Sequence, residues 1–378
     1  MAFTTTVGAG GTSLIGTSGV DSTTFAPSTL APTVFVGAQG DTDFVTITAS
    51  ASGYTVRGGA GADTINAAGF SKSLVTGDDG DDKITITGTI QSSTVSGLEG
   101  ADTIAVASIN GGTVNGNNGN DKLSIADGSL TNNGKLVGGQ GNDTFTFGAG
   151  VILSSGIVNG QDGDDTITIS NVAAMASTGA TIFGGQGSDT ISAAGNAGNA
   201  VVISGDLGAD NLTGSGGKDT IFGGDGNDRI TGGGGADSMI GGSGVDTFIQ
   251  SGNPSNLPAF TPTTLINALG FDVISGFEFG LNGDIVSGLG SGAVAPVNYT
   301  TAAAVPGATI SNSTVYSFSG TYNAGTGTFT YVANNSGADT LLVATDAFAG
   351  TFAAPVFVAN ATVLQSVNIT TLTASNFA

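Results

Sequence analysis

Aspartate recurs along this chain at intervals that would bring carboxylates together in a folded protein. Ten of these residues lie 19 to 24 positions apart, and four more follow at steps of nine. Nearly every one closes a Gly-x-x-Gly-x-Asp hexad, followed by a small or polar residue and then an apolar one. The series is Asp21, Asp43, Asp63, Asp82, Asp102, Asp121, Asp143, Asp165, Asp189, Asp210, Asp219, Asp228, Asp237 and Asp246. A fixed period of this length predicts a repeat architecture.

Repeats stacked on one another would place these carboxylates along one edge of the fold, where they favour a divalent cation. Two carboxylates about 5 Å apart repel by roughly 3 kcal/mol at an effective dielectric constant near 20. A cation between adjacent turns reverses the sign of that interaction. Calcium accepts six to eight oxygen ligands in flexible geometry, whereas magnesium prefers strict octahedral geometry and keeps its waters. The pattern therefore predicts several bound Ca²⁺ ions.

A plainer interpretation is that Gly and Asp only make turns, since glycine adopts positive φ cheaply and Asp can bond its own nearby backbone. That interpretation suits a single hexad, and fourteen hexads in register favour the cation. Other acidic residues occupy the variable hexad positions, and we expect them to be solvated charges and not ligands. They are Asp78, Asp79, Asp81, Asp162, Asp164, Asp206 and Asp225.

Short strands separated by turns are the elements that would position these carboxylates. Runs such as 83–87 and 166–169 alternate apolar and polar residues and are bounded by Gly, Asn and Asp, which predicts strands of four or five residues. Strand and turn at a constant period predict an all-β parallel solenoid of about ten coils, which buries its apolar residues only when coils stack. The inward positions would be two residues after each Asp: Ile65, Ile84, Ile104, Leu123, Phe145, Ile167, Ile191, Leu212, Ile221, Ile230, Met239 and Phe248.

The change of period at about residue 210 predicts a change in the coils. A step near 20 is a full coil with a Gly-Asp turn at one edge, and a step of nine is half a coil with such turns at both edges. We therefore predict an N-terminal segment at 1–13, a solenoid with one Gly-Asp turn per coil at 14–204, and a β-roll with turns on both edges at 205–252. Residues 253–378 would form a β-rich region for capping, assembly and secretion.

Composition excludes several classes of function. The net charge of −22 opposes binding to nucleic acid or to an anionic membrane surface. Cys and His are both absent, which excludes disulfides, the usual zinc sites, Cys nucleophiles and His bases. The N-terminus lacks a basic segment followed by an apolar one, so no Sec-type signal is expected, and no apolar stretch is long enough for a membrane-spanning helix.

The hexads resemble the calcium-binding nonapeptides of RTX proteins, most closely in the consecutive copies from Gly205 to Phe248. The resemblance implies calcium bound between turns through the Asp side chains and the carbonyls of Gly205, Gly214, Gly223, Gly232 and Gly241. It also implies type I secretion, and the ending at 372–378 is similar to the C-terminal signals of that system. Residues 14–204 depart from the family pattern because their alternate turns are not Gly-Asp.

A chain that is nearly all scaffold predicts a structural protein outside the cell and not an enzyme. The chain has no His-Glu-x-x-His and no Gly-x-Ser-x-Gly sequence. We expect a protein that assembles with itself into a surface layer or related array, with cell-surface polysaccharide as a further partner, and that is largely unfolded without calcium. The alternative is a calcium-dependent adhesin or an ice-binding solenoid with a flat face of outward threonines: Thr64, Thr85, Thr103, Thr146, Thr166, Thr168 and Thr190.

Overall fold

The computed structural model describes residues 19–24, 40–169, 181–194, 196 and 199–249 in full, together with Ile274 and the backbone of further strands. Residues 253–262, at the start of the predicted C-terminal region, and the tail at 372–378 lie outside the described residues. The chain divides into two compact units, Met1–Ser192 (unit 1) and Ala193–Ala378 (unit 2). The residues that the structure describes form no helix, and they therefore include no membrane-spanning helix.

Unit 1 is a parallel β-solenoid whose coils alternate between two sheets. In sheet 1 the strands are Gly11–Ile15, Val34–Gly37, Thr55–Ala60, Leu74–Asp79, Thr94–Glu99, Thr113–Asn118, Lys135–Gln140, Ile157–Asp162 and Thr181–Gln186, and Thr4–Gly8 pairs antiparallel with the first of them. In sheet 2 they are Ser22–Phe25, Phe44–Ile47, Thr64–Ala67, Lys83–Gln91, Thr103–Asn110, Lys122–Ile125, Thr144–Phe147, Thr166–Thr168 and Thr190–Ser192. Each strand pairs in parallel with its counterpart one coil away, which confirms the predicted solenoid.

The return from sheet 2 to sheet 1 contains more structure than the sequence suggested. Segments such as 68–73 and 149–156 read as long turns, yet the returns include short strands that extend sheet 2: Ala51–Ser52, Phe70–Ser71, Ser129–Thr131, Ile152–Leu153 and Ala174–Met175. Phe70, Leu130 and Leu153 in these short strands, and Ile90 and Ile109 at the ends of the long strands beside them, are buried and add a second column to the core. Two or three residues are too few to show a strand period in sequence.

In unit 2 the same two-sheet plan continues with shorter coils. Val202–Leu207, Thr220–Asp225, Ser238–Ser243 and Asp272–Ser275 pair in parallel, as do Asn211–Thr213, Arg229–Thr231, Thr247–Ile249 and Ile285–Ser287. One coil here takes 18 residues, because Ile203 aligns with Ile221 and Ile221 with Met239. Between residues 55 and 243, unit 1 has seven strands of its sheet 1 and unit 2 has three of the corresponding strands in its own sheet, which agrees with about ten coils.

Further strands follow in the C-terminal part of unit 2. They are Thr264–Ile266, Val297–Asn298, Thr309–Ile310, Thr314–Asn323, Thr328–Tyr331, Asp339–Thr345, Gly350–Thr351 and Asn360–Leu364. Thr314–Asn323 pairs antiparallel with both Thr328–Tyr331 and Asp339–Thr345. Asn360–Leu364 joins this group to the solenoid strand Asp272–Ser275. The domain boundaries proposed from the sequence stay a prediction.

The core is a column of apolar side chains stacked in register. Ile84 aligns with Ile65 on one side and with Ile104 on the other, and all twelve inward positions named above are at most 1 % exposed. Burial of one such side chain contributes roughly 1.5–3 kcal/mol. Because every coil repeats this contact, the column fixes the height of each turn at the edge of the solenoid.

Candidate metal centre

The fourteen aspartates lie at the turns, each directly before the strand that it introduces. Asp63, for example, precedes Thr64–Ala67 at the edge where sheet 1 passes into sheet 2, which we call the first edge. The opposite turns, from sheet 2 back to sheet 1, form the second edge. All fourteen residues are between 0 and 2 % exposed. The carboxyl groups therefore point into the solenoid and do not face water.

A hydrogen-bond ladder joins these carboxyl groups from coil to coil. Oδ1 of Asp102 accepts a hydrogen bond from the backbone N–H of Asp82 at 2.7 Å, and Oδ1 of Asp121 accepts one from Asp102 at 2.7 Å. In unit 1 the ladder joins Asp21, Asp43, Asp63, Asp82, Asp102, Asp121, Asp143, Asp165 and Asp189. In unit 2 Asp210, Asp228 and Asp246 are joined in the same way at 2.9 Å.

The second carboxyl oxygen of many ladder residues has no partner. Oδ2 is buried and accepts no hydrogen bond in seven of them: Asp63, Asp82, Asp102, Asp121, Asp143, Asp165 and Asp228. A buried polar atom of this kind costs about 1–3 kcal/mol, and more when the group is charged. The repetition of the same orphaned atom in coil after coil indicates a site that is completed by something other than protein.

The first glycine of each hexad shapes the space around that oxygen. A Cβ added to Gly138 would lie 2.7 Å from the carbonyl oxygen of Gly160 and closer still to Oδ2 of Asp143. A Cβ added to Gly97 would be crowded in the same way, by Oδ2 of Asp102 and by the carbonyl oxygen of Gly116 in the next coil. A carboxylate oxygen and a carbonyl oxygen thus face one small space with no donor between them. Any side chain at the first hexad position would fill it.

The second hexad position adopts a conformation that sequence inspection missed. Asp78, Leu98 and Gln161 have φ values of 77°, 86° and 84°, in the left-handed region that non-glycine residues rarely adopt. This position looked variable because its side chain points away from the core and tolerates many residue types. The recurrence of Gly, Asn or Asp there was the available signal, as at Gly59, Asn117 and Asp206.

The fifth hexad position supplies an outer ladder, which the sequence reasoning also missed. Asp81 and Asp164 are exposed, as expected, yet Oδ1 of Asp81 accepts the N–H of Ala101 at 2.8 Å and Oδ1 of Asp164 accepts that of Ser188 at 2.7 Å. Asn142 makes the same contact to the N–H of Asp164. In this ladder the side chain accepts from the following coil, whereas each buried Asp accepts from the preceding one.

Among the turns that the structure describes, the second edge of unit 1 holds no carboxylate at the equivalent position. Ser73 and Ser93 stand there, and the hydroxyl of Ser93 accepts the N–H of Ser73 at 3.0 Å while donating to the carbonyl of Gln91 at 2.9 Å. These hydroxyls are satisfied without a metal. In the next three coils the position is Gly112, Gly134 or Gly156, and a Cβ added at Gly156 would strike the side chain of Leu130. Apolar atoms take the place of the ligand there.

Unit 2 restores aspartate to its second edge, at Asp219 and Asp237, which precede Thr220–Asp225 and Ser238–Ser243. Oδ1 of Asp237 accepts the N–H of Asp219 at 2.9 Å. Asp219 differs from the other ladder residues because Ser215 bonds it through both N–H and hydroxyl, at 2.6, 2.9 and 3.1 Å, and Val201 adds a further N–H at 2.8 Å. Its carboxylate is satisfied by the protein alone.

Burial raises the pKa of several ladder carboxyls. The pKa of Asp82 rises to about 8 and that of Asp102 to about 7, in both cases through burial first, with repulsion from neighbouring carboxylates adding to it. The N–H of the preceding ladder residue lowers each value without offsetting the burial. Asp143 reaches a pKa of about 8, and the pKa is about 6 in Asp63, Asp121, Asp165 and Asp228. Keeping these carboxyls ionised at neutral pH without a metal therefore costs free energy, and those with a pKa of about 8 are mostly protonated.

The donor set fits calcium better than a transition metal. Among the described residues no three Asp, Glu, His or Cys side chains converge on one point, so a cation would be held by single carboxylates and by backbone carbonyls of adjacent coils. Calcium takes carbonyl and carboxylate oxygens together, in variable geometry. The orphaned Oδ2 atoms, the facing Gly carbonyls and the space that a Cβ would fill all suit such an ion.

Comparison with known proteins supports this assignment. The family described as RTX calcium-binding nonapeptide repeat (4 copies) matches residues 55–70, 135–151, 179–199, 202–230 and 213–248. The consecutive hexads after Gly205 and three segments of the sparser ladder are thus both included. The solution structure of the AlgE6R3 subunit from the Azotobacter vinelandii mannuronan C5-epimerase is 20 % identical and covers 55 % of this chain and 83 % of its own, with a TM-score of 0.23. No curated protein matches the chain.

Two glycines of one turn test the space beside Oδ2 of the ladder Asp and the first hexad glycine, which we call the cradle. Gly232→Ala places a methyl group 3.1 Å from Cβ of Asp237 and nearer still to its Oδ2, whereas Gly234→Ala makes only ordinary contacts, the nearest at 3.4 Å. We expect Gly232→Ala to destabilise the calcium-loaded protein by about 1–3 kcal/mol, the range for overpacking. Gly234→Ala should change stability by less than about 0.5 kcal/mol. Urea unfolding in saturating calcium measures both, and equal effects would contradict the account.

Without metal, the free energy of unfolding should fall as pH rises from about 4 to about 8. The pKa values of Asp63, Asp102 and Asp82 in the fold, about 6, 7 and 8, exceed the ordinary Asp value of about 3.9. Stability from these protonated carboxyls is complete below the unfolded pKa and is lost as pH passes through the folded values. Circular dichroism in metal-depleted buffer at several pH values tests this, and β structure that increases with pH across that interval would contradict it.

Proposed function

We propose that this chain, which carries RTX calcium-binding nonapeptide repeats, is an extracellular structural protein that assembles with copies of itself into a surface layer or related array. The observation that carries the proposal is the ladder of buried carboxylates with orphaned oxygens, repeated in nearly every coil. Such a ladder stabilises a long, regular scaffold only when cations are present. The protein would then be a scaffold that forms where calcium is plentiful.

The proposed ligands follow from the geometry of the cradle. Oδ2 of each ladder Asp and the carbonyl of the first hexad glycine of the next coil would hold one ion, as with Asp210 and Gly223 or Asp228 and Gly241. Gly205 lines the space between Oδ2 of Asp210 and the carbonyl of Gly223, and Gly214 lines the space between Oδ2 of Asp219 and the carbonyl of Gly232. The bound ion supplies positive charge between stacked carboxylates, and the chain supplies oxygens, excludes water from them and fixes their spacing.

A difference between the two edges follows from the residues at each turn. At the first edge of unit 1 every described coil offers a buried carboxylate, whereas the second edge offers Ser73, Ser93 and then glycines packed against apolar side chains. We therefore propose calcium along the first edge of each unit and beside Asp237 at the second edge of unit 2, whereas Ser215 and Val201 already satisfy the carboxylate of Asp219.

Secretion would separate synthesis from folding. Extracellular calcium modules bind their ions at about 10⁻⁴–10⁻³ M, far above the calcium concentration inside a cell. Burying many carboxylates without cations is costly at neutral pH, so the chain would stay largely unfolded until export. RTX repeats are typical of secreted proteins, and the described residues include no helix that could span a membrane.

The exposed threonines favour a second candidate, an ice-binding or adhesive face. On sheet 2, Thr144, Thr166 and Thr190 align in one rank and Thr146 and Thr168 in the next, and all five are exposed. The first rank is interrupted by two lysines, which break the neutral, flat surface that ice would need. Thermal hysteresis of the calcium-loaded monomer, or its specific binding to a glycan, would favour this candidate over the array.

Calcium should convert an unfolded chain into a β-solenoid, and Asp102→Asn should weaken that response. Asparagine keeps the oxygen that accepts the Asp82 N–H but removes the charge. One site at a calcium concentration about 100 times its Kd contributes roughly 2.7 kcal/mol, so the variant should lose about this much of the calcium-dependent stability. Exposed Asp127→Asn is the control. Circular dichroism with and without calcium measures the response, and an unchanged β spectrum in chelator would contradict it.

Assembly should require calcium and should increase with protein concentration. Sedimentation velocity and electron microscopy of the full chain, with calcium and then with chelator, measure the size and order of the particles. We expect extended ordered arrays with calcium and dispersed chains after chelation. A protein that stays monomeric with saturating calcium at every concentration would contradict the proposal of an array.

A further inference from the structure

Two outward ranks of side chains on sheet 2 of unit 1 carry positive charge and no negative charge at the positions that the structure describes. Its first rank runs Phe44, Thr64, Lys83, Thr103, Lys122, Thr144, Thr166 and Thr190, and its second runs Thr46, Asn66, Thr85, Ala105, Ser124, Thr146, Thr168 and Ser192. Lys83 and Lys122 are exposed. In a chain of net charge −22 with only seven basic residues, such a face is unusual.

The two lysines form no ion pair with a described residue, although Lys83 follows the turn that contains Asp79 and Asp81. The ion pair that the described residues do show joins Arg57 and Asp78 in sheet 1, at 3.9 Å. Lys83 and Lys122 align with Thr103 between them, so their strands are two spacings, or roughly 10 Å, apart. The side chains around them are small and mostly hydroxylated, which leaves the face open to a flat partner.

The first edge of unit 1 presents the opposite charge. Asp79 and Glu99 are exposed at the third hexad position of adjacent coils and are aligned with each other, about 5 Å apart along the stack. Asp81 is exposed in the same turn as Asp79. We call these three residues the acidic patch. They are separate from the buried ladder, so calcium bound at the ladder would leave their charge facing the solvent.

We propose that the array grows by docking the sheet 2 face of one copy, through Lys83 and Lys122, onto the acidic patch of a second copy. The lysines are spaced to lie on either side of the patch, and long lysine side chains can reach its carboxylates. A face-to-edge contact is heterologous, because the two copies contribute different surfaces. Such a contact leaves a free face and a free edge on every pair, so growth does not stop at a dimer.

This inference rests on the proposed self-assembly and adds the surfaces that carry it. Charge reversal tests it in the full chain with saturating calcium. The face variant is Lys83→Glu with Lys122→Glu, and the edge variant is Asp79→Lys with Glu99→Lys. The control is Lys135→Glu with Lys218→Glu, which changes net charge as the face variant does but alters exposed lysines outside the sheet 2 face. Circular dichroism confirms that each variant folds with calcium.

We expect the face variant and the edge variant each to need a concentration at least about tenfold higher to assemble, because like charges then meet across the contact. The control should assemble like the wild type. An equal mixture of face and edge variants should assemble again, since the Glu-bearing face then meets a Lys-bearing edge and the native lysine face meets a native acidic edge. Restoration by mixing is an outcome that a general effect of net charge would not produce.

The contradicting outcomes are distinct. A wild type that never assembles with calcium would overturn the proposed function and this contact together. A wild type that assembles while the face variant assembles equally well would overturn the docking contact alone. Failure of the mixture to assemble, with both variants folded, would likewise count against the face-to-edge geometry. Binding of the monomeric wild type to a polysaccharide or to ice through Lys83 and Lys122 would assign the face to another occupant.

Discussion

The structure depends on a carboxylate that is buried at a turn and shared between coils. One oxygen of each ladder Asp accepts the backbone N–H of the coil before it, which ties the height of one turn to the next. The other oxygen faces a glycine and a carbonyl of the coil after it. In the seven residues whose Oδ2 accepts no hydrogen bond, the protein satisfies one carboxyl oxygen and leaves the other for a cation to complete. Stacking, charge and metal affinity all follow from this arrangement.

This arrangement explains why the apolar core and the turns repeat with one period. Ile84 stacks between Ile65 and Ile104, while Asp82 and Asp102 are joined one residue before those strands begin. Hydrophobic burial holds the strands of successive coils in register, and the hydrogen-bond ladder holds their turns in register at the edge. Burying the isoleucines stabilises the solenoid, whereas burying the ionised carboxylates beside them destabilises it. A bound cation removes that opposition.

Much of this could be predicted from the sequence because the spacing of the Asp and apolar residues gives the length of each coil. Alternation in runs such as 83–87 predicted the strands and the residue two after each Asp predicted the core, and both are confirmed. The burial of the carboxyls could not be predicted, since a Gly-Asp turn suggests exposure to solvent. The outer ladder at Asp81 and Asp164, and the role of Ser73 and Ser93, depend on contacts between residues about 20 apart, which no local pattern specifies. The metal role of the aspartates themselves stays a proposal.

The most direct test of the central claim is an anomalous difference map from crystals of the protein grown in calcium. The account predicts peaks beside Oδ2 of Asp63, Asp102 and the other ladder residues of the first edge. It predicts none at the turns that contain Gly112, Gly134 and Gly156. Peaks confined to exposed acids such as Asp79 and Glu99, with the ladder carboxylates left uncoordinated, would contradict it.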